Sequence, residues 1–158
     1  MISAVDTNIL LDILIPDEEH MQGSKRLLEA HLEKGSLIIS EIVYAELASQ
    51  FISGADLSRF FSETGIRLVN SNEKSLQLSG ERWVRYARGK SRDIHCSQCG
   101  KRLSLSCPHC GFVVSLRQKV LSDFIIGAHA LVHADILLSR DRGVYKTYFN
   151  DLNVVRSE

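Results

Sequence analysis

The chain has 158 residues, of which 44% are hydrophobic and 24% charged, and its 19 basic side chains balance 19 acidic ones. A chain of this size and composition can build one domain with a real core. No apolar run approaches the roughly 18 residues that a membrane span needs, and nothing before Asp6 reads as a signal peptide, so we expect a cytoplasmic protein.

The first part of the chain alternates between strand-like and helix-like stretches. ISAV (2–5) predicts a strand, and the polar DTN that follows leads into the apolar start of a helix. The spacing of leucines over 24–34 predicts a helix that Gly35 ends. SLIIS (36–40) predicts a second strand, and EIVYAELASQFIS predicts a helix that Gly54 closes.

Another helix is expected after Asp56, which can cap it, and IRLVN (66–70) predicts a third strand. Asn72 is the predicted cap of a longer helix with two distinct faces. The residues expected to face inward are Leu76, Trp83, Val84 and Ala87. The arginines expected to share another face are Arg85, Arg88 and Arg92.

The end of the chain predicts one more helix and two more strands. LRQKVLSDFIIGAHALVHA (116–134) carries apolar residues at helical spacing, DILLS (135–139) predicts a fourth strand and LNVVR (152–156) a fifth. Strands that alternate with helices indicate an α/β fold with a mostly parallel sheet. We therefore expect about five parallel strands flanked by helices.

All four cysteines lie in one segment, as two Cys-x-x-Cys pairs: Cys96 with Cys99 and Cys107 with Cys110. Clustered cysteines in a reducing compartment are more often metal ligands than disulfides, and each pair has the spacing of half a tetrahedral zinc site. The pattern indicates a structural Zn²⁺ in a small zinc ribbon, inserted at about 91–116 between two helices. An iron–sulfur cluster and a redox dithiol are the alternatives.

Charge is distributed unevenly along the chain. Residues 81–119 carry nine basic and two acidic side chains. This positive surplus indicates a polyanionic partner, with a solvated helix face as the alternative.

Four acidic residues from distant parts of the chain are predicted to meet at one edge of the sheet: Asp6, Glu46, Asp123 and Asp141. Ligands of open α/β sheets bind outside the carboxyl ends of the strands, and two of these acids follow the first and fourth strands. Carboxylates in close proximity cannot all ionise without a counter-charge, so the cluster predicts bound Mg²⁺ or Mn²⁺, which can activate a water for attack on a phosphodiester. Taken singly, each acid could instead be a cap, a turn residue or a solvated side chain.

At these residues the sequence resembles the PIN-domain nucleases, a family of small α/β proteins. AVDTNILLD looks like the family's first motif, VYAEL like its helix motif, SDFIIGAHAL like its third motif and LLSRD like its fourth. By resemblance the metal-site acids are Asp6, Glu46, Asp123 and Asp141, with Asn8 and Ser139 in support. Small residues in the third motif would let that helix approach the sheet. Asp12 and Asp135 lie off the motif pattern and are not assigned to the site.

The resemblance covers 1 to about 90 and 117–158, which indicates a single PIN domain interrupted by the zinc ribbon. It implies a metal-dependent endoribonuclease of the VapC toxin type, a class that small antitoxins hold inactive and that commonly forms homodimers. A PIN and zinc-ribbon nuclease that processes ribosomal RNA is one alternative, and a non-catalytic RNA-binding module is another. The residues expected to hold RNA phosphates are Arg85, Arg88, Arg92, Lys101, Arg102, Arg117 and Lys119.

Overall fold

The computed structural model describes residues 1–15, 18–89, 94–95, 102–103, 105–111, 113–114, 121–141 and 143–156 of the chain. The strands in chain order are β1 (Ile2–Val5), β2 (Ser36–Ile39), β3 (Arg67–Leu68), β4 (Ile94–His95), β5 (Arg102–Leu103), β6 (Leu105–Ser106), β7 (Val113–Val114), β8 (Ile136–Leu138) and β9 (Val154–Val155). The helices are α1 (Thr7–Leu14), α2 (Met21–Lys34), α3 (Glu41–Ala48), α4 (Gly54–Thr64), α5 (Glu73–Gly89), α6 (Leu121–His133) and α7 (Val144–Tyr148).

Five of the strands form a parallel sheet in the order β3-β2-β1-β8-β9. β1 lies at the centre, where Ala4 is opposite Ile38 on one side and Leu137 on the other. β8 is wholly buried, as expected for the middle of a parallel sheet that helices cover on both faces. The predicted α/β fold with a five-stranded parallel sheet and flanking helices is confirmed.

Capping residues explain where two of the helices begin. Asn72 caps α5 as predicted, because its Oδ1 accepts a hydrogen bond from the backbone N–H of Ser75 at 2.9 Å. The prediction that Gly54 closes a helix was wrong, since α3 has already ended and Gly54 is the first residue of α4. The cap of α4 is Ser53, whose Oγ accepts from the N–H of Asp56 at 3.2 Å, so Asp56 lies in the first turn and does not cap it.

Helix α5 packs on α6 with a different side from the predicted one. Ser75, Ser79 and Tyr86 are buried, whereas Leu76, Trp83 and Val84 are 38–47% exposed. Ala87 is exposed as well. The prediction was wrong because apolar spacing alone decided it. Small serine side chains let the two helices approach closely, and that packing selects the buried face.

Aromatic rings and one glycine join α5, α6 and α7. The ring of Phe124 lies 5.4–5.7 Å from those of Tyr86, Tyr148 and Phe149. A Cβ added at Gly127 would lie only 2.9 Å from Cζ of Phe149. Small residues in α6 were predicted to let this helix approach the sheet. At Gly127 the close neighbours are instead Tyr145 of α7 and Phe149, the residue after α7. Helix α7 itself was not predicted.

Two antiparallel hairpins lie between α5 and α6. β4 pairs with β5, and β6 pairs with β7. The stretch that connects β4 to β5 contains the first cysteine pair, and the stretch that connects β6 to β7 contains the second. Cys96 and Cys99 lie outside the described residues.

Within the described ranges, no helix combines the length and the apolar character that a membrane crossing requires.

Candidate active site

The carboxyl edge of the sheet carries the four acidic residues that the sequence singled out. Asp6 directly follows β1, and its backbone N–H donates to the carbonyl of Leu138 in β8 at 2.9 Å. Asp141 comes shortly after β8, and Asp123 lies in the first turn of α6, the helix that leads into β8. Glu46 belongs to α3, which follows β2. The parallel direction of the strands brings these acids to the same side of the sheet.

Asp6 is almost completely buried, with 4% of its surface exposed. Its Oδ2 accepts hydrogen bonds from Oγ of Ser139 at 2.5 Å, from Nδ2 of Asn8 at 2.8 Å and from the hydroxyl of Tyr145 at 3.3 Å. The pKa of Asp6 is raised to about 6, chiefly by burial and slightly by the negative charge of Asp141, although hydrogen bonds from Ser139 and Tyr145 act in the opposite direction. The carboxylate is thus held in one orientation at a high electrostatic cost.

Asn8 and Ser139 connect the first acid to the loop after β8. Nδ2 of Asn8 also donates to Oγ of Ser139 at 3.2 Å, and its Oδ1 accepts from the backbone N–H of Arg140 at 3.0 Å. Oγ of Ser139 accepts from the N–H of Asp141 at 3.0 Å. Asn8 and Ser139 therefore each bind both to Asp6 and to the backbone of the loop after β8.

The pKa of Asp123 reports the proximity of the other acids. Burial and, after it, the negative charges of Asp6, Asp141 and Glu46 together raise this pKa to about 6. Each of the three remaining carboxylates is therefore close enough to oppose the ionisation of Asp123. The four acids form one electrostatic cluster.

Hydrogen bonds orient the other two acids of the cluster, Glu46 and Asp141. The hydroxyl of Thr7 donates to Oε2 of Glu46. Oδ1 of Asp141 accepts from the backbone N–H of Gly143 at 2.5 Å and from that of Val144 at 3.2 Å. These donors orient each carboxylate without neutralising it.

The donor set fits a hard divalent cation. Among the described residues, no group of three or more His, Cys, Asp or Glu side chains forms a preformed metal site. Mg²⁺ does not need one, because it usually binds through one or two carboxylates and completes its shell with waters and substrate phosphates. The acids offer only oxygen ligands, which suit such an ion. Its positive charge would stabilise the ionised forms of Asp6 and Asp123, whose pKa values are raised in its absence.

Sequence reasoning missed three contributors to the site. Thr7 is the middle residue of DTN, so its position next to Asp6 was the available signal. Tyr145 is buried in α7, where burial raises the pKa of its hydroxyl well above the usual value of 10 and keeps it a hydrogen-bond donor. Asp12 and Arg140 form an ion pair beside the loop after β8. Neither Tyr145 nor the ion pair shows a pattern in the sequence, because each contact spans more than 120 residues.

The second cysteine pair lies in the turn that connects β6 to β7. Cys107 and Cys110 are free thiols. Backbone N–H groups of Cys110 and His109, the first of these the strongest cause, lower the pKa of the Cys107 thiol. The N–H of Gly111 donates to the carbonyl of Cys107 at 2.9 Å, and Gly111 has a φ of 69°, a conformation that favours glycine.

The basic residues expected to hold RNA are only partly described. Arg85 and Arg88 are exposed on α5. Arg102 lies in β5. Those outside the described residues are Arg92, Lys101, Arg117 and Lys119.

Comparisons with known proteins concern the family and the fold. A family profile described as PIN domain matches residues 4–150. No curated protein matches the chain in sequence. The solved structure of VapBC2 from Rickettsia felis bound to a DNA fragment from their promoter is similar at 19% identity and a TM-score of 0.61, over 100% of both chains.

Two further solved structures resemble the chain to the same degree. A toxin-antitoxin complex from Klebsiella pneumoniae has 19% identity and a TM-score of 0.60, covering 97% of this chain and 95% of that one. VapBC-1 from nontypeable Haemophilus influenzae has 18% identity and a TM-score of 0.60, covering 99% and 98%. At such identities the likeness shows the fold alone.

Proposed function

Because the chain belongs to the PIN domain family, whose members are generally nucleases, we propose that it is a metal-dependent endoribonuclease that hydrolyses RNA phosphodiester bonds. The observation that carries this proposal is the effect of Asp6, Asp141 and Glu46 on the pKa of Asp123. Like charges that oppose one another weaken a fold, whereas a dication between them makes their proximity favourable.

The acids Asp6, Glu46, Asp123 and Asp141 would hold Mg²⁺ or Mn²⁺. When bound, such an ion supplies an activated water for attack on phosphorus and positive charge for the leaving oxygen. The chain's own contribution is orientation. Ser139, Asn8 and Tyr145 engage Oδ2 of Asp6, and burial excludes bulk water from this carboxylate. A fixed and dry carboxylate interacts more strongly with a cation than a mobile, solvated one.

Cleavage of a fluorescent RNA hairpin with Mg²⁺, Mn²⁺ or EDTA tests the proposal. We expect product with a divalent ion and none with EDTA. Asp6→Asn should abolish cleavage, while Asp151→Asn, before β9 and so at the opposite edge of the sheet from the acids, should cleave as the wild type does. RNA binding without product under any metal would favour the non-catalytic module, and undiminished cleavage by Asp6→Asn would rule out the acid cluster. A DNA hairpin of the same sequence tests the choice of RNA.

We propose that the basic residues at the end of α5 and in the segment after it bind the RNA phosphates. Arg85 and Arg88 are exposed, and the stretch 81–119 has nine basic side chains against two acidic ones. Contacts of this kind release counterions and are independent of sequence. Arg85→Gln combined with Arg88→Gln should therefore weaken RNA binding and flatten its salt dependence. A salt dependence equal to that of the wild type would exclude these two arginines.

We propose a small antitoxin as the protein partner, because the similar structures are described as toxin-antitoxin complexes or VapBC pairs. A groove of about 220 Å³ lies between α1, α2 and α4, with walls formed mainly by apolar side chains such as Leu28, Leu32 and Phe60. Lys25 and Glu29, which pair with each other at 4.0 Å, also line the groove and offer both charge signs to a bound helix. An amphipathic helix with an apolar face fits a groove of this kind.

The antitoxin proposal is tested with the small protein encoded next to this chain in its genome. Leu32→Glu places a charge in the groove and should prevent co-purification. Ile52→Glu is the matched control, because Ile52 is fully exposed and does not line the groove. Equal co-purification of both variants would exclude the groove, and a genome with no such neighbour would argue for the alternative role in ribosomal RNA processing.

We propose that two copies of the chain pair through an exposed apolar surface on α5. This α5 stripe consists of Leu76, Trp83, Val84 and Ala87. Gly80 lies within it. An antiparallel copy related by a two-fold axis would bring the α5 stripes of the two chains together.

Analytical ultracentrifugation tests the pairing of two copies. Trp83→Glu should convert a dimer into a monomer, while Ile15→Glu, at an exposed residue after α1, should leave the dimer intact. A monomeric wild type would overturn this proposal without touching the nuclease proposal.

We also propose structural Zn²⁺ held by Cys96, Cys99, Cys107 and Cys110. Its support is the pairing of β4 with β5 and of β6 with β7, which places one Cys-x-x-Cys pair in each hairpin connection. The turn at Cys107 and Cys110, with its N–H donors to sulfur, adds to that support. Metal analysis of protein purified without added metal should find about one zinc per chain. Iron with visible absorption would instead indicate an iron–sulfur cluster.

A further inference from the structure

We propose that the ion pair between Asp12 and Arg140 is a positioning device that sets the place of Ser139 and Asp141 in the acid cluster. Neither residue is one of the four acids, and the sequence motifs assign neither of them to the site. The inference rests on the proposed nuclease function, since it concerns the geometry of the same site.

The carboxylate of the ion pair is buried and fully engaged, whereas Nε of Arg140 is buried without a hydrogen-bond partner among the described residues. Nη2 of Arg140 donates to Oδ1 of Asp12 at 2.6 Å, and only 2% of the Asp12 side chain is exposed. Oδ2 of Asp12 accepts from Oγ of Ser24 in α2 at 2.6 Å. Both oxygens of Asp12 are therefore committed, and α2 holds the carboxylate that in turn holds Arg140.

Arg140 is fixed to α1 through its main chain as well as its side chain. Its backbone N–H donates to Oδ1 of Asn8 at 3.0 Å. Asn8 and Asp12 are four residues apart on α1, so they lie on the same face of that helix. Two attachments one helical turn apart define both the position and the orientation of Arg140, which a single contact would not.

The two neighbours of Arg140 make the contacts that order the acids. Ser139 donates to Oδ2 of Asp6 at 2.5 Å, and the N–H of Asp141 donates to Oγ of Ser139 at 3.0 Å. Because these residues share consecutive peptide units with Arg140, a shift of its backbone moves both. The ion pair is thus connected to Asp6 and Asp141 by covalent geometry and by one hydrogen-bonded chain.

Energetics favour a positioning role over a purely stabilising one. Apolar residues of similar volume often stabilise a fold as well as a buried ion pair does, or better, because two charges must lose their hydration. An ion pair also fixes the relative orientation of its two side chains, because a carboxylate and a guanidinium bind each other in few geometries. A site that must hold a carboxylate within about 0.5 Å of its working position needs supporting interactions with such a fixed geometry.

Asp12→Asn tests the proposal, with Asp151→Asn as its matched control. Asp151 also binds an arginine at 2.6 Å, the Arg82 of α5, but it lies before β9 and so at the opposite edge of the sheet from the acids. Each variant replaces one arginine-bound carboxylate by an amide. NMR amide exchange of Arg140 and Asp141 reports the loop directly, and kcat and KM for RNA cleavage report its consequence.

For Asp12→Asn we expect the Arg140 and Asp141 amides to exchange about tenfold faster than in the wild type, because the loop loses one of its two attachments. We expect kcat to fall about 10- to 100-fold with KM nearly unchanged, since a small misplacement costs rate more than binding. Asp151→Asn, compared at the same interval below its own melting temperature, should change neither. Arg140→Lys keeps the charge and should retain more rate than Arg140→Gln.

Unchanged exchange of the Arg140 amide in Asp12→Asn would overturn the inference, as would a loss of kcat equal to that of Asp151→Asn. A wild-type protein that cleaves no RNA with either metal would instead refute the nuclease proposal. The exchange comparison between Asp12→Asn and Asp151→Asn would still decide whether the ion pair positions the loop.

Discussion

Replacing Asp6 by Asn should raise the stability of the protein at neutral pH while it removes activity. Burial is the main cause that raises the pKa of Asp6 from 3.8 to about 6, and this rise corresponds to about 3 kcal/mol of unfolding free energy. Because the folded pKa lies above the unfolded one, the native state binds the proton more tightly, and stability falls as the pH rises from about 4 to about 6. Above about pH 6 the buried Asp6 is ionised, and its charge lowers the unfolding free energy by the full amount. The neutral amide of the Asp6→Asn variant has no such effect.

Unfolding in urea or by heat, in EDTA from pH 4 to pH 8, measures this effect. At pH 8 Asp6→Asn should gain up to about 3 kcal/mol, or about 6–10 °C in Tm for a domain of this size, and the gain should vanish near pH 4. Asp151→Asn is a control of opposite sign, because hydrogen bonding to Arg82 lowers the pKa of Asp151. At pH 8 the Asp151→Asn protein should be less stable than the wild type. This difference should disappear when the pH falls below the usual carboxyl pKa, because the wild type then loses the charge of Asp151. An Asp6→Asn protein less stable than the wild type at pH 8, or a difference independent of pH, would refute this reasoning.

Three further outcomes are expected. Gly127→Ala should cost about 1–3 kcal/mol in urea unfolding because its Cβ would collide with aromatic rings, whereas Gly80→Ala, with open space around it, should gain about 0.5–1 kcal/mol; equal effects would contradict the packing described for α6. Tyr145→Phe removes a donor that lowers the pKa of Asp6, so NMR titration without metal should find that pKa higher than in the wild type, and no change would mean that the bond is absent in solution. Cys107→Ser should lose most of the bound zinc in metal analysis, and full retention would exclude its sulfur as a ligand.

Local pattern was enough for the sheet and for the position of its acids. Continuous apolar runs such as ISAV and SLIIS predict buried strands because a central parallel strand is covered on both faces. Asp6 and Asp141 could be placed at one edge because side chains that follow parallel strands end on the same side. Asn72 could be recognised as a cap since its partner lies three residues away. Each of these inferences depends on neighbours within a few residues, or on a rule of topology.

The orientation of α5 shows where local pattern fails. Its larger apolar residues predicted the buried face, yet Ser75 and Ser79 are buried and Trp83 is exposed. The buried side of a helix depends on what the adjacent helix offers, and a close approach favours small side chains over large ones. The boundary at Gly54 failed for a related reason, because a glycine can precede a helix as well as follow one.

The sequence by itself determined the alternation of strands and helices, the family to which the chain belongs and the identity of the candidate acids, because each is written in short motifs or in periodic spacing. Only the tertiary structure decided which groups surround those acids. Tyr145 reaches Asp6, and Arg140 reaches Asp12, across more than 120 residues of chain. Contacts of that range arise when the sheet brings β1 and β8 side by side, and no periodicity along the chain records them.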